Sequence, residues 1–120
     1  MKRKLKKLAF TLVLLLSSIS YSQLTCGNTF ADSGGANGTY QNNETITTTI
    51  CPSNPNEIVS VSFYSFSLED NFDFLNVYDG TSSLIGTYTG NVSPGTITAS
   101  VPGQCLTFIF TSDASVTAAG

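Results

Sequence analysis

Apolar and polar residues along the chain follow two different rhythms. Near the start, an apolar run extends from Leu8 to Leu16, with five basic residues before it and the small, polar stretch Ser17 to Ser22 after it. Beyond that point the dominant rhythm is alternation. In Ile58 to Phe66 (IVSVSFYSF), Val59, Val61 and Phe63 fall on one face and Ser60, Ser62 and Tyr64 on the other. In Leu106 to Phe110, the residues Leu106, Phe108 and Phe110 point one way. A period of two is the signature of half-buried strands. Further strands are predicted at Glu44–Ile50, Phe74–Tyr78, Leu84–Tyr88 and, more weakly, Thr96–Val101, with an Asp79-Gly80 hairpin turn between Phe74–Tyr78 and Leu84–Tyr88. No segment reads as helix. Thr, Ser, Val, Ile, Phe and Tyr dominate, and Gly, Asn and Pro recur between the strands. Several short strands at this spacing predict an all-β sandwich or jelly roll.

The N-terminal pattern is that of a secretory signal peptide: a basic start, a short apolar middle and a small-residue end. Ser20-Tyr21-Ser22 fits the small-x-small rule, so residues 1–22 are read as the leader, with cleavage after Ser22. Nine residues from Leu8 to Leu16 are far short of the ~20 that span a bilayer. Once the leader is cleaved, no segment for membrane insertion is left, and the product is expected to be secreted or held at the cell surface.

Cleavage changes the charge. All five Lys and Arg residues lie between Lys2 and Lys7, the chain has no His, and all eight acids lie in residues 23–120. The mature part therefore carries eight negative side chains and no positive one. Nucleic acid requires cationic contacts with its phosphates and is excluded as a partner. The self-repelling surface favours a cation or a basic partner. Catalysis by Ser-His-Asp or Cys-His is excluded without histidine, and a zinc hydrolase lacks its ligands. A carboxylate pair remains, but it needs a substrate cleft that a sandwich of this size rarely provides. The chain is therefore read as non-catalytic. Three cysteines, Cys26, Cys51 and Cys105, stand in a chain bound for an oxidising compartment. The odd count leaves a free thiol or a partner outside the chain. Pairing Cys26 with Cys51 would close a loop of 26 residues, a gain of roughly 3–4 kcal/mol in the chain-entropy model. The Gly- and Asn-rich segment Ala31 to Asn43 would then lie inside that loop, as part of the domain.

Two stretches are more specific. One is Phe66-Ser67-Leu68-Glu69 followed by Asp73-Phe74-Leu75-Asn76-Val77-Tyr78-Asp79-Gly80; the other runs from Leu106 to Ser115 (LTFIFTSDAS). In order and spacing they resemble the CUB domain, a jelly-roll β-sandwich of extracellular proteins, over essentially all of Cys26 to Gly120. The likeness is to the divergent CUB-like modules of large secreted bacterial proteins. It implies an interaction module recognising protein or carbohydrate, with Cys26–Cys51 as the first disulfide. It also implies a Ca²⁺ site built from Glu69, Asp73, Asp113, Ser115 and, through its backbone carbonyl, Val116. Six to eight hard oxygens suit Ca²⁺, and carboxylates supply the charge. In several such modules the acids also receive a basic side chain of the partner. The chain departs from the family pattern in the loop after Glu69, where only Asp70-Asn71-Phe72 precede Asp73 and a family cysteine is missing; Asp70 could replace Glu69 there. In the related modules one more strand, ending in cysteine, follows the point where Gly120 stands. The resemblance thus leaves Cys105 unpaired within residues 23–120 and implies a longer protein. A purely structural spacer, in a cell-surface protein or a secreted hydrolase, is the alternative function. The tyrosines Tyr40, Tyr64, Tyr78 and Tyr88 could line a sugar-binding face or could be ordinary packing.

Processing makes a direct prediction. With every Lys and Arg in the leader, exported and unfolded protein yields no internal tryptic peptide. Mass spectrometry finding Lys2–Lys7 retained on exported material would reject cleavage after Ser22.

Overall fold

The computed structural model describes residues 21–24 and 26–120, so all but the last two residues of the predicted leader lie outside the described part. The described chain is all-strand and without helix, as the alternation predicts. Seven strands run β1 (Tyr21–Leu24), β2 (Thr45–Ile50), β3 (Ser60–Ser62), β4 (Phe74–Asp79), β5 (Ser83–Tyr88), β6 (Thr96–Thr98) and β7 (Leu106–Thr111). Five form one sheet in the order β1-β2-β7-β4-β5, and β3 with β6 forms a second. Pairing is antiparallel except for β1, which lies parallel to β2.

The period of two decides which side chains meet. Leu106, Phe108 and Phe110 of β7 turn inward with Leu75 and Val77 of β4, and meet Val61 and Ile97 of the small sheet in one buried cluster. Phe30 and Phe63 both pack their rings against Phe108, with centroids 5.3 and 5.7 Å away. Burying a side chain of this size contributes about 1.5–3 kcal/mol. β3 is shorter than its apolar pattern. The Phe63 amide still reaches Gly95 O (2.9 Å), but the segment after it turns aside, and the amide of Leu68 pairs with Gly90 O (2.9 Å). β6 likewise ends at Thr98, three residues before the predicted limit of Val101. Beyond it the Ser100 amide is taken by Asp79 Oδ1 (3.4 Å). Asp79-Gly80 forms the expected hairpin: Asp79 pairs with Ser83 across it, and Gly80 takes a φ of 68° that glycine adopts at no steric cost. β1 was not anticipated. Its residues Tyr21 and Ser22 fall on the leader side of the assigned cleavage point, where small-residue composition reads as a cleavage site.

The cysteines pair differently from the expectation. The disulfide joins Cys51 to Cys105, and Cys26 is free and exposed. The reason lies in the register. β2 and β7 are antiparallel with Ile50 opposite Leu106, so the next opposed pair is Cys51 and Cys105, with Cα atoms 4.2 Å apart. Cys26 instead occupies the turn by which the chain leaves the sheet after β1. The predicted Cys26–Cys51 bridge and the unpaired Cys105 are both overturned. Segment 31–43 nevertheless belongs to the domain, held by Tyr40, whose side chain is buried in the core cluster.

Between the sheets, an open groove of about 870 Å³ is lined by apolar side chains including Phe30, Phe63, Phe66 and Phe108. The free edge of β3 borders it. The Gly120 amide donates to Ser67 O (2.9 Å), on the opposite side of that peptide from the Leu68 N–H, which serves Gly90.

Removing the disulfide tests the map. With a sequence separation of 54, the chain-entropy model gives a loss of about 4 kcal/mol for Cys105→Ser, whereas the exposed Cys26→Ser stays within ~0.5 kcal/mol. Thiol titration of the folded, exported chain should find one thiol, reactive without denaturant. A protected Cys26 and a titratable Cys105 would reject the pairing.

Candidate metal centre

Three acids converge at one end of the sandwich. Glu69 precedes the loop into β4, Asp73 stands immediately before that strand, and Asp113 lies two residues beyond β7. Antiparallel pairing of β4 with β7 places Phe74 opposite Thr111, so Asp73 and the residues after Thr111 emerge side by side. The loop from Glu69 to Asp73 is a single tight turn. The Asp73 amide donates to Glu69 O (3.1 Å), and Asn71 takes a φ of 65°, a left-handed conformation that Asn tolerates. One oxygen from each of Glu69, Asp73 and Asp113 lies within 4.8 Å of the others.

Asp73 is the centre of this cluster and is fully buried, at 0 % exposure. Its Oδ2 accepts a hydrogen bond from the Tyr40 hydroxyl (2.6 Å), and its Oδ1 accepts one from the Asp113 amide (2.8 Å). The same Tyr40 oxygen accepts from the Glu69 amide (2.9 Å). Tyr40 thereby fixes the backbone of one acid and the carboxylate of another. Burial and the bond to Asp73 push its hydroxyl pKa up to about 12. The Asp113 side chain is tethered in turn: its Oδ1 accepts from the Ser115 amide (3.0 Å). Ser112 and Asp113 are held from the other side, where the Asn43 amide donates to Asp113 O (2.7 Å) and the Ser112 amide to Glu44 O (3.0 Å).

Glu69 is the unsatisfied member. Its Oε2 is buried and has no hydrogen-bond partner. Burial, and then the charges of Asp113 and Asp73, hold its carboxyl above the usual glutamate range. A buried carboxylate oxygen without a partner is costly, and residues 23–120 contain no cationic side chain to relieve it. Three carboxylates, one with a vacant buried oxygen, fit a hard divalent ion, whose preferred ligands are such oxygens.

Of the predicted ligand set, Glu69, Asp73 and Asp113 come together. Asp70, the possible substitute for Glu69, does not join them; its carboxylate lies against Gly90, where an added Cβ would meet Oδ1 at 2.9 Å. Ser115 contributes an amide to the Asp113 carboxylate. Val116 is exposed and adopts a φ of 61°, rare for a β-branched residue. The predicted set omitted Tyr40. A signal for it exists: where no Lys, Arg or His is present, a buried carboxylate must be satisfied by hydroxyls and amides.

Comparison with known proteins agrees with the fold. The model of the CUB domain matches residues 23–120, and the chain belongs to the CUB domain family. That family consists of non-catalytic interaction modules. Among solved structures, the full extracellular region of zebrafish Gpr126/Adgrg6 matches with a TM-score of 0.71 and 26 % identity over 83 % of this chain. The CUB1-EGF-CUB2 domains of rat MASP-1 match with a TM-score of 0.65 and 19 % identity over 81 %. This chain spans 13 % and 38 % of those two chains.

The cluster predicts how stability depends on pH without metal. A carboxyl whose pKa is raised on folding contributes stability that is complete below its unfolded pKa and is lost as pH rises through the folded value. Glu69 and Asp32 are both shifted upward. In EDTA the melting temperature should therefore fall as pH rises from about 4 through the carboxylate range. Glu69→Gln should flatten part of that fall and raise the melting temperature at neutral pH. A variant less stable than wild type at neutral pH in EDTA would contradict the repulsive reading. Tyr40→Phe, which strips a donor from buried Asp73, should cost about 1–3 kcal/mol.

Proposed function

We propose that the chain is a secreted, non-catalytic interaction module that binds Ca²⁺ through Glu69, Asp73 and Asp113. In this reading it presents that end of the sandwich to a basic side chain of an extracellular protein or glycan. The observation that carries the proposal is the convergence of three carboxylates within 4.8 Å, one of them with a buried oxygen lacking any partner. The Ser115 side chain and the Val116 carbonyl would add oxygens from the turn beyond Asp113. Bound Ca²⁺ would supply positive charge that offsets the mutual repulsion of the acids. Tyr40 and the Asp113 amide hold Asp73 in place without an ion. Glu69 and Asp113 stand toward solvent, half-buried, where a partner's ammonium or guanidinium can approach.

The module also fits a larger extracellular protein. The groove beside β3 and the pairing of Gly120 with Ser67 suit one further strand running back along the free edge of β3. Such a strand would complete the burial of the partly buried rings of Phe63 and Phe66.

Thermal unfolding of the exported chain with and without Ca²⁺ tests the proposal. Ion at 100 times its Kd adds about 2.7 kcal/mol by mass action on the native state. Each kcal/mol moves the midpoint of a domain this size by roughly 4–8 °C. Glu69→Gln and Asp113→Asn should abolish the rise, while Glu57→Gln, outside the cluster, should leave it intact. A melting curve unmoved by millimolar Ca²⁺ would overturn the Ca²⁺ reading and leave the cluster a hydrogen-bonded junction of loops.

A further inference from the structure

The second sheet carries a row of hydroxyls with no assigned role. Val61 of β3 turns inward, as do Val59 and Phe63 on either side of the strand, so Ser60 and Ser62 line the outward face, with exposed Ile58 and Tyr64 just beyond its two ends. β6 pairs with it so that Ser60 faces Thr98 and Ser62 faces Thr96. The facing hydroxyls are hydrogen-bonded to each other, Ser60 with Thr98 at 3.1 Å and Ser62 with Thr96 at 2.9 Å. Each pair uses one O–H internally and keeps one O–H and several lone pairs for a ligand. All four residues are exposed.

At one end of the row stands Tyr64, 95 % exposed, and at the other Ile58, 49 % exposed. The other tyrosines named as sugar-face candidates are engaged elsewhere. Tyr40 is buried on Asp73, Tyr88 packs against the core and Tyr78 is half-buried. Fully extended, the segment from Ile58 to Tyr64 would reach at most ~20 Å, the scale of a short oligosaccharide.

Charge selects the ligand. The row itself carries no ionisable carboxylate, and Glu57, beyond Ile58, is engaged by the Asn54 amide group (2.7 Å). An anionic chain would meet a domain with eight acids and no base in residues 23–120. A basic ligand would find no carboxylate along the row. An uncharged ligand matches it. A neutral sugar offers a C–H face for the Tyr64 ring and a rim of hydroxyls that both donate and accept, as Ser and Thr do.

We propose that the outward face of the β3–β6 ribbon binds a neutral polysaccharide, with Tyr64 stacking on a sugar ring and Ser60, Ser62, Thr96 and Thr98 hydrogen-bonding to its hydroxyls. The proposal rests on the reading of the chain as an extracellular interaction module and uses a surface distinct from the acidic cluster.

Affinity electrophoresis of the full exported chain tests it, in gels containing laminarin, xylan, galactomannan or hydroxyethylcellulose, with alginate as the anionic control. At least one neutral gel should retard the protein and alginate should not. Tyr64→Ala should weaken retardation at least tenfold, with an unchanged melting temperature because the side chain packs against nothing. Tyr64→Phe should stay within threefold, and Thr96→Val should lie between. EDTA should make no difference, so failure of the Ca²⁺ reading and failure of the platform are separable. The proposal is overturned if no neutral gel retards the wild type, if Tyr64→Ala runs like the wild type, or if EDTA abolishes retardation.

Discussion

The buried carboxylate of Asp73 is the constraint to which the rest of this end of the molecule answers. A charge placed at zero exposure has to be met by donors, and residues 23–120 supply no cationic side chain. The two donors present are the Tyr40 hydroxyl and the Asp113 amide, which come from sequence positions far apart. Meeting them joins the loop before β2, the entry to β4 and the exit from β7 in one hydrogen-bonded knot. The closely opposed carboxylates therefore follow from the way the fold satisfies Asp73. Backbone pairs between 43–44 and 112–113 prolong the β2–β7 ladder to the same place.

At the other end of that ladder, the Cys51–Cys105 bridge ties the same two strands covalently. β2 and β7 are thus clamped at both ends, by a disulfide and by the acidic knot. β7 also lies at the centre of the five-stranded sheet and supplies three core side chains. This rigid centre contrasts with the small sheet, where three residue pairs define the register of β3 and β6. Ligand contacts based on Glu69 and Asp113 would draw on the stiff part of the domain, and contacts at Tyr64 on the thinner ribbon.

The strands were legible where alternation was strict. Leu106, Phe108 and Phe110 turned inward as read, and so did Val59, Val61 and Phe63. Strand ends were less legible, because a side-chain acceptor such as Asp79 for the Ser100 amide is a tertiary event with no periodic trace. The disulfide was misread for a related reason: the family pattern offers Cys26 to Cys51, whereas pairing depends on cross-strand register, which places Cys51 opposite Cys105. The trio Glu69, Asp73 and Asp113 was legible through motif order alone, since spacing in sequence does not reveal that the two strand ends adjoin. Tyr40 lay hidden in a loop with no periodicity. Only the absence of cations made a hydroxyl partner for a buried acid necessary.

Val116 has a consequence of its own. Its left-handed backbone is one that glycine would occupy freely and that a branched side chain resists. Glycine there would relieve the strain but would also let the turn sample many more shapes before any ligand arrives. A bulky residue narrows that ensemble. Some intrinsic stability is given up, and under the proposed Ca²⁺ reading less conformational entropy would remain to be lost on binding at the turn beyond Asp113.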